Sequence, residues 1–216
     1  MGTRPAPARH KILDASLDVI RAQGLAATTV DDLCAAAGVT KGAFFHHFAS
    51  KEALAVAAAE HWSHVTGAMF AASQYHDLED PLDRVMGYLD LRERLVHGSP
   101  GEYSCVAGTM VQEAFATWPS VREACGHAIF DHAATLEDDL EAAITSYQPD
   151  LRDEGVTASG LAVHFQVVLQ GSFVVSKAAE DPQIVLDSIA NLRRYLRRLF
   201  TPEYANTSNT AKEHMP

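Results

Sequence analysis

The sequence has few cysteines, no long run of apolar residues and little positive charge. Its three cysteines, Cys34, Cys105 and Cys125, are scattered among 216 residues. An odd number without CxxC spacing argues against a disulfide framework and against a zinc site of the CxxC type. No apolar run approaches the roughly 20 residues of a membrane span, and the first ten residues lack the apolar segment of a secretory signal. We therefore expect reduced thiols and a cytoplasmic location with no membrane partner.

Positive charge is scarce overall but not at the amino end. The chain carries 17 Lys and Arg against 28 Asp and Glu, a net charge of -11, which is unfavourable for a protein that contacts phosphates over its whole surface. Residues 1–51 nevertheless hold six basic and four acidic side chains. All of the negative excess therefore follows residue 51. A weakly basic head on an acidic body is typical of a protein that touches DNA with one end.

Helical periodicity dominates the chain, and no segment alternates between apolar and polar residues as a strand does. The fold is therefore predicted to be all-α, with about nine helices. Turn residues such as Gly24, Asp80-Pro81 and Pro119 mark several of the helix ends. The predicted helices lie at about 8–23, 30–37, 40–47, 51–75, 81–95, 104–116, 120–147, 157–179 and 182–200.

Two adjacent short helices carry the features of a helix-turn-helix. Thr29 is the predicted N-cap of the first, and Asp32 completes a capping box three residues later. Gly38 permits a left-handed turn that a side chain would resist, and Cys34 suits a close helix crossing where only a small residue fits. Two short helices joined in this way are a motif that reads DNA, so the amino-terminal segment is predicted to bind it.

Residues 28–54 read TTVDDLCAAAGVTKGAFFHHFASKEAL. They closely resemble the DNA-binding signature of the TetR family of transcriptional regulators. The last two helices of many members resemble the segment LQGSFVVSKAAEDPQIVLDSIANLRRYLRRLF. The resemblance implies a homodimer that binds a palindromic double-stranded DNA operator, most often as a repressor released by a small-molecule effector. It also implies a three-helix DNA-binding domain at 1–53, a ligand-binding and dimerisation domain at 54–200 and a tail at 201–216. The tail is expected to be disordered because it has little apolar content.

The resemblance further implies that the helix from Thr40 enters the major groove. Hydroxyl, ammonium and imidazole groups there can donate to phosphates and base edges. Phe45 stands where the family usually has a tyrosine whose hydroxyl reaches a phosphate, so one contact is missing. Phe44 and Phe48 are predicted to be core residues. The predicted DNA-binding residues are Thr29, Thr40, Lys41, Gly42, Phe45, His46, His47 and Lys51.

A dimer surface and an effector site are expected in the acidic body. By resemblance the last two helices pair with those of a second chain, although each residue named there could instead pack within one chain. The predicted dimer residues are Leu161, Phe165, Val168, Phe173, Val185, Ile189, Leu192 and Leu196. The effector is unknown, and a small-molecule site needs apolar walls with a few polar groups. Its predicted residues are Trp62, Phe70, Tyr88, Cys105, Met110, Glu113, Phe115, His132, His164 and Lys177.

An alternative function uses Cys105. The residue opens a predicted helix after a glycine-containing loop, where the helix dipole stabilises a thiolate, and a nearby Lys177 would stabilise it further. The chain could then be a helical ligand-binding protein or a thiol-based sensor of oxidants or electrophiles, with activation or co-repression as its DNA output. No catalytic residue, cofactor or metal site is predicted. His61 and His64 lie three residues apart, but no third ligand follows from the sequence.

Overall fold

The computed structural model describes residues 8–201, and in this range the chain consists of α-helices, two 3-10 turns and short loops. The predicted all-α fold is confirmed. Residues 202–216 of the predicted disordered tail lie outside the described residues. The helices of the described range are α1 (Ala8–Gln23), α2 (Val30–Ala37), α3 (Lys41–His47), α4 (Lys51–Ala71), α5 (Pro81–Arg94), α6 (Pro100–Tyr103), α7 (Val106–Ala114), α8 (Pro119–Ala134), α9 (Glu137–Tyr147), α10 (Ala158–Ala179) and α11 (Gln183–Leu199).

The first four helices begin and end where local sequence favours it. The Thr29 hydroxyl accepts the Asp32 N–H at 3.1 Å, and the Asp32 carboxylate accepts the Thr29 N–H at 2.8 Å, which completes the capping box. That backbone hydrogen bond lowers the pKa of Asp32. Gly38 ends α2 with φ 64°. The hydroxyls of Thr40 and Ser50 cap α3 and α4 by accepting backbone N–H groups at 3.2 and 3.0 Å.

Three predicted helix boundaries were wrong. The segment 120–147 is not one helix, because α8 ends at Ala134 and α9 begins at Glu137. The connector helix α4 ends at Ala71, and residues 74–77 form a 3-10 turn. Pro100 was predicted only to end the preceding helix, but it also opens the single-turn helix α6 before α7 begins.

The contacts of the chain define two compact units. The first contains α1 to α4, α6, α7, most of α8 and the last residues of α10. The second contains α5, α9, most of α10 and α11. The helix-turn-helix therefore packs in one unit with α7 and α8. A domain boundary after residue 53 stays a prediction.

Each unit has its own apolar core. In the second unit the buried Tyr88 ring meets the rings of Tyr75 and Phe165 edge-on, at 6.2 and 5.9 Å. In the first unit one cluster continues from the three amino-terminal helices to α7 and α8. Its fully buried members include Ile12, Leu33, Phe44, Leu54, Val106, Met110, Val121 and Cys125. Burial of this apolar surface is the main force that holds the helix-turn-helix against α7 and α8.

Helix α10 is, within residues 8–201, long and apolar enough to cross a membrane by length and composition. This corrects the expectation that no segment approaches that limit. Leu161, Phe165 and Leu169 on this helix are buried in the second unit. Core helices of water-soluble proteins meet the same criterion, so α10 is only weak evidence for a membrane span.

Candidate nucleic-acid interface

The side chains of α3 divide between an inward and an outward face. Phe44 is fully buried and Phe48 nearly so, which confirms both as core residues. Their rings lie 5.6 Å apart, and the Arg9 guanidinium of α1 stands 5.6 Å from the Phe48 ring centre. These contacts hold α3 against the rest of the three-helix head.

The outward face of α3 carries most of the residues that were predicted to bind DNA. Lys41, Gly42 and His46 are exposed, and Phe45 exposes 56% of its surface. His47 is half-buried, and its ring meets that of His46 edge-on at 4.9 Å. The outward face therefore combines a cation, two imidazoles and an exposed aromatic ring on one short helix.

Lys41 forms an ion pair with Asp31 at the surface. The two charged atoms are 2.8 Å apart, and both side chains are more than half exposed. The hydrogen bond and the charge of Asp31 raise the pKa of Lys41, so the amine stays protonated at neutral pH. Because exposed ion pairs contribute little stability, the ammonium can exchange this partner for a phosphate at small cost.

Gly42 has no structural need to be glycine. A Cβ built there would meet only the Thr40 hydroxyl within 4 Å, at an ordinary contact distance of 3.7 Å. The missing side chain leaves the outward backbone of α3 open to a close partner. Thr29 and Thr40 are also exposed, and their hydroxyls serve as helix caps.

Lys51 has a role that its position in the sequence did not predict. Its ammonium donates to the carbonyl oxygens of Leu25 at 2.9 Å, Ala26 at 3.2 Å and Thr28 at 2.9 Å. It also lies 5.8 Å from the centre of the Trp118 ring. The ammonium therefore holds the turn between α1 and α2, in addition to any contact with phosphate.

The ten predicted effector residues are divided between the two units. Tyr88 and His164 belong to the second unit and the other eight to the first. Within the first unit, the Phe70 and His132 rings are in contact at 4.7 Å. Phe115 is exposed, with 59% of its surface open.

Two more of these residues already have partners within the first unit. The Arg21 guanidinium stands 5.2 Å from the ring centre of Trp62. The carboxylate of Glu113 accepts the N–H of Ala26 at 2.5 Å. Met110 is fully buried in the core of this unit.

A groove of about 570 Å³ lies between α4 and α8 in the first unit. Its volume is in the range of small-molecule sites. None of the ten predicted effector residues lines it. It is lined by Val56, Ala59, Glu60, Ser63, His64, Ser120, Glu123, Ala124, His127, Ala128 and Asp131.

Cys105 and Lys177 lie near each other in the first unit. The Cys105 sulfur caps α7 by accepting the N–H of Gly108 at 3.4 Å. The Lys177 ammonium donates to the Thr109 hydroxyl at 3.0 Å and to the Arg21 carbonyl at 3.1 Å. Burial lowers the pKa of Lys177, while the nearby Cys105 acts to raise it. The structure thus brings together the two residues on which thiol sensing would depend.

Histidine and carboxylate side chains do not converge on a metal site in residues 8–201: no group of three or more potential ligands is present there. His61, for which no third ligand was expected, pairs with Asp14 at 2.7 Å. This contact ties α4 to α1.

The residues predicted for the dimer surface lie mostly on the inner face of their helices. Seven of the eight are buried within the single chain and Val168 is half-buried, in line with the alternative that each packs in its own core. The outer face of the same helices carries exposed apolar side chains that sequence reasoning missed. They are Val167, Val174, Val175 and Tyr195.

Comparison with known proteins relates the amino-terminal helices to a protein family. Residues 12–58 match the model of the bacterial regulatory proteins of the tetR family. The regulator SrpR of Pseudomonas putida is 25% identical over 207 residues, which cover 86% of this chain and 92% of SrpR. The amino-terminal domain belongs to the TetR family. Its helix-turn-helix is the DNA-binding domain of that family.

Other similarities to TetR-family proteins are shorter in sequence or limited to the fold. YerO of Bacillus subtilis, an uncharacterised regulator, is 39% identical over 54 residues, which are 25% of this chain and 19% of YerO. The chain matches only about a fifth to a quarter of the length of the first curated relatives. The crystal structure of E. coli NemR in its reduced form superposes with a TM-score of 0.72 at 17% identity, covering 88% of this chain and 96% of NemR.

Proposed function

We propose that this TetR-family protein is a homodimeric repressor that binds a palindromic operator and is released by a small-molecule effector. The observation that carries the proposal is the outward face of α3. That face is exposed and carries the Lys41 ammonium, and its glycine is not needed by the fold. It belongs to a capped helix-turn-helix that a buried phenylalanine pair holds in place.

In this proposal α3 reads the major groove. Lys41 leaves Asp31 for a phosphate or a base acceptor, and Gly42 lets the backbone come close to the duplex. His46, His47 and the Thr40 hydroxyl donate to phosphates or bases, while the Phe45 ring packs against the sugar-phosphate backbone. Thr29 contacts a phosphate next to α2. Lys51 assists by holding the turn before α2 and by adding its positive charge.

A dimer is needed because one short recognition helix contacts too few base pairs for useful specificity. The outer faces of α10 and α11 suit this role. Val167 exposes 62% of its surface and Val175 53%, and Tyr195 is exposed on the neighbouring helix. Several exposed apolar side chains on two helices are typical of a protein interface.

Effector release requires differential binding to two conformations. An effector that prefers the conformation with misplaced recognition helices lowers operator affinity, and a preference of about 1–3 kcal/mol changes that affinity roughly 5- to 150-fold. Repression is the majority behaviour that the family resemblance implies. In an activating or co-repressed protein, the effector instead prefers the conformation that binds DNA.

Selection from a random duplex pool tests the proposal. Purified protein is incubated with the pool, bound duplexes are amplified and sequenced, and the cycle is repeated. We expect enrichment of a palindrome with two half-sites about one helical turn apart. A pool that stays random after several rounds, with only weak and salt-sensitive binding, would contradict the proposal.

A second candidate function is thiol sensing through Cys105, favoured by the position of Lys177. The Cys105 sulfur accepts a backbone N–H at the start of α7, and the Lys177 ammonium is bonded to Thr109 one turn further along that helix. The same ammonium holds the Arg21 carbonyl near the end of α1. Alkylation or oxidation of Cys105 would disturb this ammonium and through it α1, which packs on the helix-turn-helix.

Thiol labelling separates Cys105 from the other two cysteines. Cys34 and Cys125 are buried, and burial raises the pKa of Cys125 to about 12. In the native protein we expect iodoacetamide to modify Cys105 faster than a free thiol peptide, and at least about tenfold faster than Cys34 or Cys125. The rates are read by mass spectrometry, and protein unfolded in urea is the control in which all three react alike. Sensing is rejected if Cys105 reacts no faster than the peptide.

A further inference from the structure

The turn between α1 and α2 is held by two charged side chains from other parts of the first unit. From α7, the Glu113 carboxylate accepts the N–H of Ala26 at 2.5 Å. From α4, Lys51 donates to three carbonyls of the same turn. A negative charge from α7 therefore binds the amide of the turn, and a positive charge from α4 binds its carbonyls. The two charged residues are 87 and about 25 residues away in sequence.

Gly24 makes room for the Glu113 carboxylate. Its φ of +85° lies in the left-handed region that favours glycine. A Cβ built there would stand 2.3 Å from the Glu113 Oε1 atom, closer than any packed side chain allows. The observed position of the Glu113 carboxylate against this turn thus requires a glycine at residue 24.

The end of α1 is tied to neighbouring segments as well. The Arg21 guanidinium donates to the Glu102 carbonyl of α6 at 2.6 Å. Lys177 donates to the carbonyl of Arg21 itself. Unlike these two ties, the bonds of Glu113 and Lys51 reach the turn that leads directly into α2.

We propose that Glu113 is a positioning residue for DNA binding. Its carboxylate binds the turn before the helix-turn-helix to α7, and so sets where α2 and α3 stand relative to that helix. A displacement of α7 is then passed to this turn through the Glu113 bond, in addition to the shared apolar core. The inference rests on the proposed function, because a position of α3 matters only if α3 reads DNA. It also gives Glu113 a task other than contact with an effector.

A change in the position of α3 can be distinguished from a general loss of stability by measuring the preference for half-site spacing. In a dimer, the placement of the two recognition helices selects the distance between half-sites. A protein that is merely destabilised loses affinity for all spacings in proportion. A protein whose α3 is poorly positioned binds the preferred spacing less tightly but discriminates less against spacings one base pair longer or shorter.

The experiment compares Glu113→Ala and Glu113→Gln with the wild type, and uses Glu154→Ala, at an exposed glutamate of the turn before α10, as the control. Amide hydrogen exchange at Ala26 is measured by NMR on DNA-free protein. Binding is measured on the selected palindrome and on two duplexes with spacing changed by one base pair. For Glu113→Ala we expect about tenfold faster exchange at Ala26, and a preference for the selected spacing that falls about five- to tenfold.

The conservative variant separates charge from geometry. The glutamine that replaces Glu113 can still accept the Ala26 N–H through its side-chain oxygen. The exchange rate and spacing preference of Glu113→Gln are therefore expected between those of the wild type and Glu113→Ala, while Glu154→Ala behaves as the wild type. Unchanged exchange at Ala26, or unchanged spacing preference on a duplex that the wild type binds, overturns the role of Glu113. A wild type that selects no duplex overturns the proposed function itself, which is a different result.

Discussion

Replacing Phe44 with alanine is expected to lower the free energy of unfolding by about 3–5 kcal/mol. Phe44 is fully buried, and its ring contacts the rings of Phe45 and Phe48 at 5.2 and 5.6 Å. The surrounding helices cannot fully close the cavity that a missing ring leaves. A loss of this size is a large part of a typical domain stability of about 5–15 kcal/mol. Urea unfolding followed by far-ultraviolet circular dichroism measures it.

The neighbouring phenylalanine is the matched control for this variant. Phe45 is next in sequence but exposes 56% of its surface, so Phe45→Ala is expected to change the free energy of unfolding by less than about 1 kcal/mol. Its effect should appear in operator affinity, since the ring lies on the outward face of α3. Equal destabilisation by the two variants would show that the inward and outward faces of α3 have been assigned wrongly.

Replacing Lys51 with methionine is expected to destabilise the protein by about 2–3 kcal/mol. The variant keeps the length of the side chain but removes the donor that three carbonyls of the turn after α1 share. The exposed carbonyl of Ala26 can hydrogen-bond to water instead, but the partly buried carbonyls of Leu25 and Thr28 lose a charged partner. Urea unfolding measures the loss. Stability equal to that of the wild type would contradict a role in holding the turn.

Lys41→Met is the matched control, since it removes the same charge from an exposed position of α3. We expect no large loss of stability, because the pair with Asp31 is exposed. Operator affinity should fall, and the slope of log affinity against log salt should decrease by about 2 for a dimer that loses one phosphate contact per chain. An unchanged slope for Lys41→Met would show that this ammonium does not reach a phosphate.

Local signals made the amino-terminal helices predictable. Thr29 with Asp32, Gly38, Thr40 and Ser50 set the ends of α2, α3 and the start of α4 through contacts between residues at most four apart. Such contacts depend little on the rest of the fold. The all-α fold class followed from the helical periodicity of the apolar residues.

The break between α8 and α9 was missed because no glycine or proline marks it. Leu136 precedes α9 without a side-chain cap, in a nearly helical conformation. The signal that could have revealed the break is the run of acids Glu137, Asp138 and Asp139, which favours the positive end of a helix dipole.

Contacts between distant segments could not be predicted from one sequence. The bond from Glu113 to Ala26 joins residues 87 apart, and no local pattern signals it. The faces of α10 were ambiguous for another reason: Phe165 points into the core while Val167 lies exposed, and both are apolar. Periodicity cannot tell an inner face from a dimer face when both carry such residues.

In the proposed function, two chains of this protein read two half-sites through α3. Native mass spectrometry and affinity measurements on the selected palindrome, and on the same duplex with one half-site scrambled, test it most directly. We expect two chains per palindrome and an affinity at least about a hundredfold lower for the scrambled duplex, since each mismatched base pair costs about 1–3 kcal/mol. One chain per duplex, with equal affinity for both duplexes, would contradict it.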